Sequence, residues 1–522
     1  MTGKGLKEIL FLGLFVLFFS KSDGQGYEDK LKQLLQEAEP ASYGLQFGKE
    51  LKVFYEANGY QFSWFGNQKN NLEILSGYIQ HAAEQGLQQE DYQPVLFGSY
   101  NKGFHIPVSE KDSLLVELKC SDAAIHFLHD VLMGNRAETF SYNGLNYTPA
   151  CHDLPVLLNN ALKMGRFSAL LDEVSFNEPG YRAVKKMLNL FQQKTSAIGF
   201  KDVIVTSNAV NNSNKLLRSR LFQLGFLLSD TAHISDADLV AVIKEAQKLF
   251  DLLNDGKLNS INLQAFNVPL ATRIAELEQT LNCLRWLNCI KGSAHAIVVN
   301  IPSATLILYE HGNAVLGSRV IVGKRSTATP TLSSAVTEVI LYPYWNVPYK
   351  IATQEILPRI KRNRNYLEIN NYQVLNRNGK VMDPSHVNWR ALSSRNFPYV
   401  IRQSTGCDNA LGLIKLNFYN PFSVYLHDTP SKSLFALSRR YFSHGCMRVE
   451  QAMELGHYIL KGNAIAIDTL TEKGCLKNQS PIIVPAAEKI PVFVIYHTAW
   501  SDPVSGIRFY EDVYDKIPRP KK

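Results

Sequence analysis

A chain of 522 residues is too long for one hydrophobic core, and at the usual ~100–200 residues per domain it divides into about three units. With 45% hydrophobic and 20% charged residues it has the make-up of a globular protein, which excludes disorder or a collagen-like repeat for its bulk. The formal charge of +8 suits an anionic partner such as a cell-wall polymer and equally plain solubility, while the lack of a Lys/Arg run interleaved with aromatics argues against nucleic acid.

The N-terminus, MTGKGLKEILFLGLFVLFFSKSDGQG, sets Lys4 and Lys7 ahead of an apolar run from Ile9 to Phe19, with Ser22 and Gly24 as small residues near a cleavage point. That run is too short to span a bilayer comfortably, so residues 1–24 read as a cleaved export signal. Left uncleaved, it would hold the protein at the outer face of the inner membrane. Seven cysteines is an odd count, so in an exported chain at least one stays outside a disulfide unless chains are cross-linked. Their spacings are wide apart from Cys283 and Cys289, which fits neither a zinc ribbon nor a disulfide-stapled miniprotein.

Apolar residues then recur at helical spacing in LKQLLQEA, AAIHFLHDVLMG and YRAVKKMLNLF, predicting a helical domain over residues 25–205. Within it the aromatic-rich LKVFYEANGYQFSWF, from Leu51 to Phe65, is expected to pack in the core. A small helical unit follows over 206–270, and a charged helix, 271–292, leads onward. Near Lys291 the period changes. HAIVVNIPSATLILYEHGNAVLGSRVIVGK alternates β-branched residues with turns and reads as short strands and hairpins. The strand-rich part is predicted to run over 293–478, interrupted by a polar, Arg- and Asn-rich insertion at about 352–402, a lid or binding loop if ordered. Residues 479–522 read as a C-terminal extension. The expected class is α+β, multidomain.

The stretch YFSHGCMRVE places His444, Gly445, Cys446 and Arg448 within five positions. Cys446 is open to three readings: metal ligand, half of a disulfide, or nucleophile. A nucleophilic thiol needs a base, a group that orients the base, and donors for the oxyanion. His427, at the end of the strand-like SVYLHDTP, is a base candidate, and the 18 residues between it and Cys446 allow a loop to bring the two together. Gly445 permits a tight backbone, and VEQAMELGHYIL has helical spacing, so Cys446 is expected near a helix N-terminus beside Arg448 and His444. That positive potential would lower the thiol pKa toward neutrality. Amides around Gly445 and Cys446 would serve the oxyanion. Asp428 adjoins His427, but neighbouring strand residues face opposite sides, so a backbone carbonyl is expected to orient the ring. A core cysteine would not need the flanking Gly, Arg and His; His427 could equally be a hydrogen-bonded structural histidine. His427, His444 and Cys446 have zinc-ligand chemistry, but no fourth ligand is apparent.

At these residues the chain resembles the L,D-transpeptidase catalytic-domain family, whose hallmark is a His-bearing strand end followed by S-H-G-C-x-R. The likeness extends through VIVGKRSTATPTLSSAVTEVILYPYWNVPYKIATQEILP, IRQSTGCDNALGLIKLNFYN and VYLHDTPSKSLFALSRRYFSHGCMRVE, and the longer strings are similar to the large periplasmic branch with a scaffold domain and a small peptidoglycan-binding-like domain. The resemblance implies a mixed-β catalytic domain in which Cys446 attacks the carbonyl of the third, diamino acid residue of a stem peptide, releasing terminal D-alanine. It implies His427 as base, His444, Gly445 and Arg448 shaping the oxyanion and substrate site, and Tyr425, Trp345 and Asn346 lining a cleft capped by the insertion. No cofactor is implied. Partners would be donor and acceptor stem peptides and other cell-wall synthesis proteins. The small domain's likeness rests on Gln247, Asn254–Gly256 and LQAFNV, with Ala246 where an aromatic is typical and Asn262 where Thr is. RQSTG stands where Pro-Gly is more usual. Alternative readings are an L,D-carboxypeptidase, a cysteine peptidase releasing wall-linked peptide or protein, and a non-catalytic wall-binding scaffold.

Overall fold

The structure is a computed structural model, and it describes residues 24–517 apart from 38–42, 66–68, 102–109, 146–150, 171–172, 174–177, 207–214, 231–233, 292–293, 462–478 and 503–505. The expected signal segment lies outside the described residues except for Gly24.

The N-terminal part is helical, as its 3.6-residue period requires. Helices Gly48–Asn58, Lys69–Gln80, Glu110–Met133 and Leu154–Lys163 enclose a core in which Phe54, Tyr55, Trp64, Ile125 and Leu158 are fully buried. The aromatic stretch from Leu51 to Phe65 therefore supplies core packing. A buried carboxylate, Glu117, sits among these rings and accepts the Ser63 and Trp64 backbone N–H groups, with the Tyr55 hydroxyl beside it.

Helix Leu270–Lys291 is buried along most of its length, and its polar Arg273, Glu276, Thr280, Asn282 and Arg285 are buried together with its apolar residues. Leu277, Leu281, Leu284 and Leu287 join a second core with helix Pro179–Thr195 and the small helical unit, while Cys289 reaches the first core. A disulfide from Cys289 to Cys151 ties the two together across 138 residues of sequence. Fully buried Arg285 on the same helix donates to the Gln85 carbonyl and the Tyr181 hydroxyl. In the small unit, buried Gln247 donates to Asp255 and the Lys257 carbonyl and accepts from Gly256 N, so it holds the Asn254–Gly256 loop in place.

Strand β1 (Tyr142–Asn143) leaves the helical part and pairs with the β-rich part. This part contains β2 (His295–Asn300), β3 (Thr305–Glu310), β4 (Asn313–Gly323), β5 (Leu332–Leu341), β6 (Trp345–Asn346), β7 (Tyr372–Leu375), β8 (Val381–Met382), β9 (Val400–Gln403), β10 (Ile414–Phe418), β11 (Leu426–His427), β12 (Tyr441–Ser443), β13 (Met447–Val449) and β14 (Ile482–Ile495). Strands β5-β10-β11-β13-β4-β3-β2-β14 follow one another by hydrogen bonding, and β14 returns to β5, closing the path. Alternating residues such as Val299, Leu306, Val322, Val336, Leu416, Leu426 and Met447 fill its interior, each contributing about 1.5–3 kcal/mol by burial.

Two expectations change here. The region after 479 is not an appendage: β14 pairs with β2 in parallel and β5 in antiparallel fashion, so it is a structural stave of the sheet. It is followed by a hairpin of β15 (Ala499–Asp502) and β16 (Gly506–Phe509), whose Trp500 and Phe509 pack into the helical core. The polar insertion is also a folded body. Its sheet, β6-β9-β7-β8, and helix Leu357–Arg362 enclose Ile356, Leu357, Ile360, Val374, Trp389 and Ile401, and it begins at Trp345, ahead of the polar stretch. Widely spaced apolar residues in a charged sequence gave no periodic signal, yet they meet in three dimensions.

Candidate active site

The site grows out of three adjacent strands. In IKLNF, Ile414, Leu416 and Phe418 are buried in the core, so Lys415 projects from the other face. Lys415 is in register with His427, and His427 with Arg448 of the parallel strand β13. Tyr425 and Cys446 precede His427 and Arg448 by two positions each, and the period of two returns them to the same side. One outer face thus carries Lys415, Tyr425, His427, Cys446 and Arg448. Cys446, two residues before Arg448, stands diagonally from His427 across the neighbouring parallel strands.

His427 is buried, and its Nδ1–H donates to the Asp428 carbonyl at 2.6 Å, which leaves Nε2 with a lone pair. The carboxylate of Asp428 is used elsewhere, by Lys432 at 2.6 Å and by the Leu413 amide at 3.0 Å. The Tyr425 ring meets the imidazole edge-on, 5.6 Å between centroids, and Lys415 Nζ lies 4.1 Å over the same Tyr425 ring. Burial, with the Arg448 charge beside it and Lys415 on the other side, lowers the His427 pKa to about 3.

Cys446 retains some solvent exposure but is enclosed by protein on most sides, and its thiol is oriented toward the Ser423 carbonyl at 3.9 Å. Burial pushes its pKa up, against the lowering influence of Tyr425, Lys415 and Arg448. This corrects the expectation of a ready thiolate. A strand, β13, follows Cys446, and helix Ala452–Ile459 starts only beyond it. Six residues of largely extended chain, roughly 15–20 Å, put the thiol beyond the first turn where a helix dipole acts.

Gly445 has φ +116°, a backbone state that a side chain rarely adopts. Its N–H is taken by Ser443 Oγ at 3.1 Å, so it is not a spare oxyanion donor, whereas the Cys446 amide makes no hydrogen bond among the described residues. The turn is braced from behind by the segment after β4. Thr329 Oγ1 donates to the Gly445 carbonyl and accepts from Gly323 N, both at 2.8 Å, and Thr327 Oγ1 donates to the Ser443 carbonyl at 3.0 Å. Tyr514, from the C-terminal segment, donates to the Gly323 carbonyl and accepts from Thr329 N.

The other expected residues part company. His444 turns away to the insertion, where its Nε2–H donates to Glu355 Oε1 at 2.7 Å. His427, His444 and Cys446 do not gather at ligand distance among the described residues. Trp345 and Asn346 belong to the insertion's own sheet, paired with Gln403 and Arg402, and Trp345 packs near Tyr372. Arg448 is partly buried, and burial lowers its pKa while the nearby thiol works the other way. Its guanidinium makes no hydrogen bond among the described residues. Cys407 is disulfide-bonded. Sequence reading missed Lys415, Thr329, Glu355 and Tyr514. Only the alternation of IKLNF could have marked the first as facing away from the core.

With this geometry in place, comparison with known proteins is informative. Residues 294–467 match the L,D-transpeptidase catalytic domain, and residues 49–188 match a scaffold domain. A Haemophilus influenzae protein, named provisionally as an L,D-transpeptidase, is 39% identical over 215 residues, which are 41% of this chain and 43% of that one. The match thus spans less than half the length of that relative. Two solved structures also align: an L,D-transpeptidase from Mycobacterium smegmatis and the Ldtfm-avibactam carbamoyl enzyme. The first is 12% identical, with TM-score 0.19, over 38% of this chain and 58% of that one. The second is 11% identical, with TM-score 0.19, over 60% and 98%. Scores that low support no conclusion about this chain's site.

Proposed function

We infer that this chain, which carries an L,D-transpeptidase catalytic domain behind a scaffold domain, is an exported, periplasmic enzyme that exchanges stem-peptide bonds of peptidoglycan through a thioester on Cys446. The observation that carries the reading is the common face of Cys446, His427, Lys415 and Arg448 on three hydrogen-bonded strands.

The chemistry follows from the electrostatics. A thiol held above its ordinary pKa beside an imidazole held far below its own rests as a neutral pair. The proton therefore passes to His427 as sulfur attacks, which is general-base catalysis rather than discharge of a preformed ion pair. Sγ forms a bond to the carbonyl carbon of the third stem residue, the Cys446 amide is placed to support the oxyanion, and the imidazolium returns the proton to the departing amine of D-alanine. An amine from a second stem then attacks the thioester, its lost proton is taken by His427, and the thiol is regenerated. Lys415 and Arg448, which make no salt bridge among the described residues, suit the carboxylates of the leaving D-alanine and of a diamino acid. The energy of the cleaved peptide bond is kept in the thioester, so no nucleotide is consumed.

Intact-mass spectrometry after incubation with a carbapenem tests the reading. One adduct per chain that is absent from Cys446→Ala is expected, and an unmodified wild-type chain defeats it. Wall analysis of cells expressing the enzyme separates acceptors. Dimeric muropeptides that depend on Cys446 indicate transfer to an amine, and loss of terminal residues without dimers indicates water as the acceptor.

A further inference from the structure

Far from Cys446 in sequence and on different elements, three side chains of metal-ligand type converge. Glu138 follows helix Glu110–Met133, Cys283 lies on the central helix Leu270–Lys291, and His497 joins β14 to β15. One potential ligand atom from each lies within 4.8 Å of the others, the only such group among the described residues. Ligand atoms around a tetrahedral zinc ion, at bonds of about 2.0–2.3 Å, stand about 3.3–3.8 Å apart, so small side-chain adjustments suffice.

The cluster is built rather than incidental. Cys283 is fully buried and outside any disulfide, and His497 is 7% exposed. The His497 backbone is clamped on both sides by Asn300, which accepts from its N–H at 2.9 Å and donates to its carbonyl at 3.0 Å, and its ring stacks on Trp500. One imidazole nitrogen, Nε2, meets Glu138 Oε1 at 3.2 Å, while the other, Nδ1, is buried with no hydrogen-bond partner among the described residues. A buried polar atom without a partner calls for one, which a water or an ion can supply. The Glu138 carboxyl faces both His497 and Cys283. A cavity of about 170 Å³, lined by Glu138, Thr139, Gln279, Thr331 and Lys516, opens beside it and offers room for water.

We propose that Glu138, Cys283 and His497 form a structural site for a zinc-class divalent cation, held by a carboxylate oxygen, a thiolate and an imidazole nitrogen, with water from the adjoining cavity as fourth ligand. On binding, the Cys283 thiol releases one proton to solvent, and the carboxylate and thiolate balance the two charges of the ion. The site joins the N-terminal helical part, the central helix and the C-terminal segment, so its effect is to lock the scaffold onto the sheet's closing strand.

The test uses untagged, full-length protein purified without chelator, equilibrated with zinc and analysed for bound metal. One zinc per chain, retained in Cys446→Ala and lost in Cys283→Ser and His497→Gln, is expected, together with a zinc-dependent rise in Tm. Because the core variants can misfold, cobalt binding is read in the Cys446→Ala background, where a near-ultraviolet thiolate-to-cobalt charge-transfer band is expected. Absence of that band, no zinc retained by wild type, or retention that survives in folded Cys283→Ser overturns the proposal and leaves a hydrogen-bond network.

Discussion

The imidazole of His444 donates to Glu355 at 2.7 Å, so the turn that bears Cys446 is tied by a side-chain hydrogen bond to the insertion beside it. Both side chains are about a third to a half exposed, and such a pair is worth only about 0.2–1 kcal/mol. Glu355→Ala is accordingly expected to raise KM for a tetrapeptide donor by about 1.5–5-fold and leave kcat nearly unchanged. A kcat loss of about 100-fold or more would place the pair in the chemistry instead.

His427 and Cys446 carry unequal burdens. On the proposed reading Cys446→Ala removes the atom that forms the thioester, and no carbapenem adduct is expected at any time. His427→Ala leaves the thiol in place, and the acylation rate should fall by about 10²–10⁴-fold, read by stopped mass measurements, with the adduct still forming slowly.

The acylation rate should follow the neutral pair. With the His427 pKa lowered to about 3 and the Cys446 thiol pushed above an ordinary cysteine, the general-base rate is expected to stay flat with pH across neutrality, without a bell centred there. An acid limb near the ordinary histidine value would contradict the neutral-pair reading.

Stability has its own pH signature. His427 has a pKa of about 3 in the folded chain against about 6.5 unfolded, so between these values the unfolded state binds more protons and stability is lost as pH falls. From pH 7 to 4.5 this contributes roughly 2–3 kcal/mol. Urea melts of wild type and His427→Gln at both pH values should differ in slope by that amount, with the variant less acid-sensitive.

Thr329 links the Gly323 amide to the Gly445 carbonyl, so Thr329→Val leaves two buried backbone groups short of a partner. A loss of about 1–3 kcal/mol in stability and a slower acylation are expected, with Thr329→Ser restoring both. Equal acylation rates in Thr329→Val and wild type would show that the brace does not position the nucleophile.

The Cys151–Cys289 disulfide closes a long loop. Cys151→Ala should lower stability by about 2–5 kcal/mol relative to wild type, measured by denaturant titration without reductant so that the disulfide at Cys407 stays intact in both.

The local record of the chain was enough for several things. Alternating β-branched residues from His295 to Gly323 produced β2 to β4, helical spacing produced the scaffold, and the spacing of His427 and Cys446 with Gly445 between strand and turn identified the residues that share a face. Adjacent-residue geometry also assigned the orienting role to a carbonyl, and Nδ1 of His427 indeed donates to Asp428 O.

Properties that depend on what surrounds a residue were decided only by tertiary structure. Counting nearby cations suggests an acidic thiol at Cys446, but the same packing that brings Arg448 and Lys415 close removes water, and desolvation outweighs their charge. Likewise β14 reads as a tail until it closes the sheet, the insertion reads as polar loop until its scattered Ile356, Trp389 and Ile401 meet, and Glu138, Cys283 and His497 are strangers in sequence. A sequence records periodicity and neighbours along the backbone. Burial and cross-strand proximity are sums over the whole fold, and they set the pKa values and the ligand clusters.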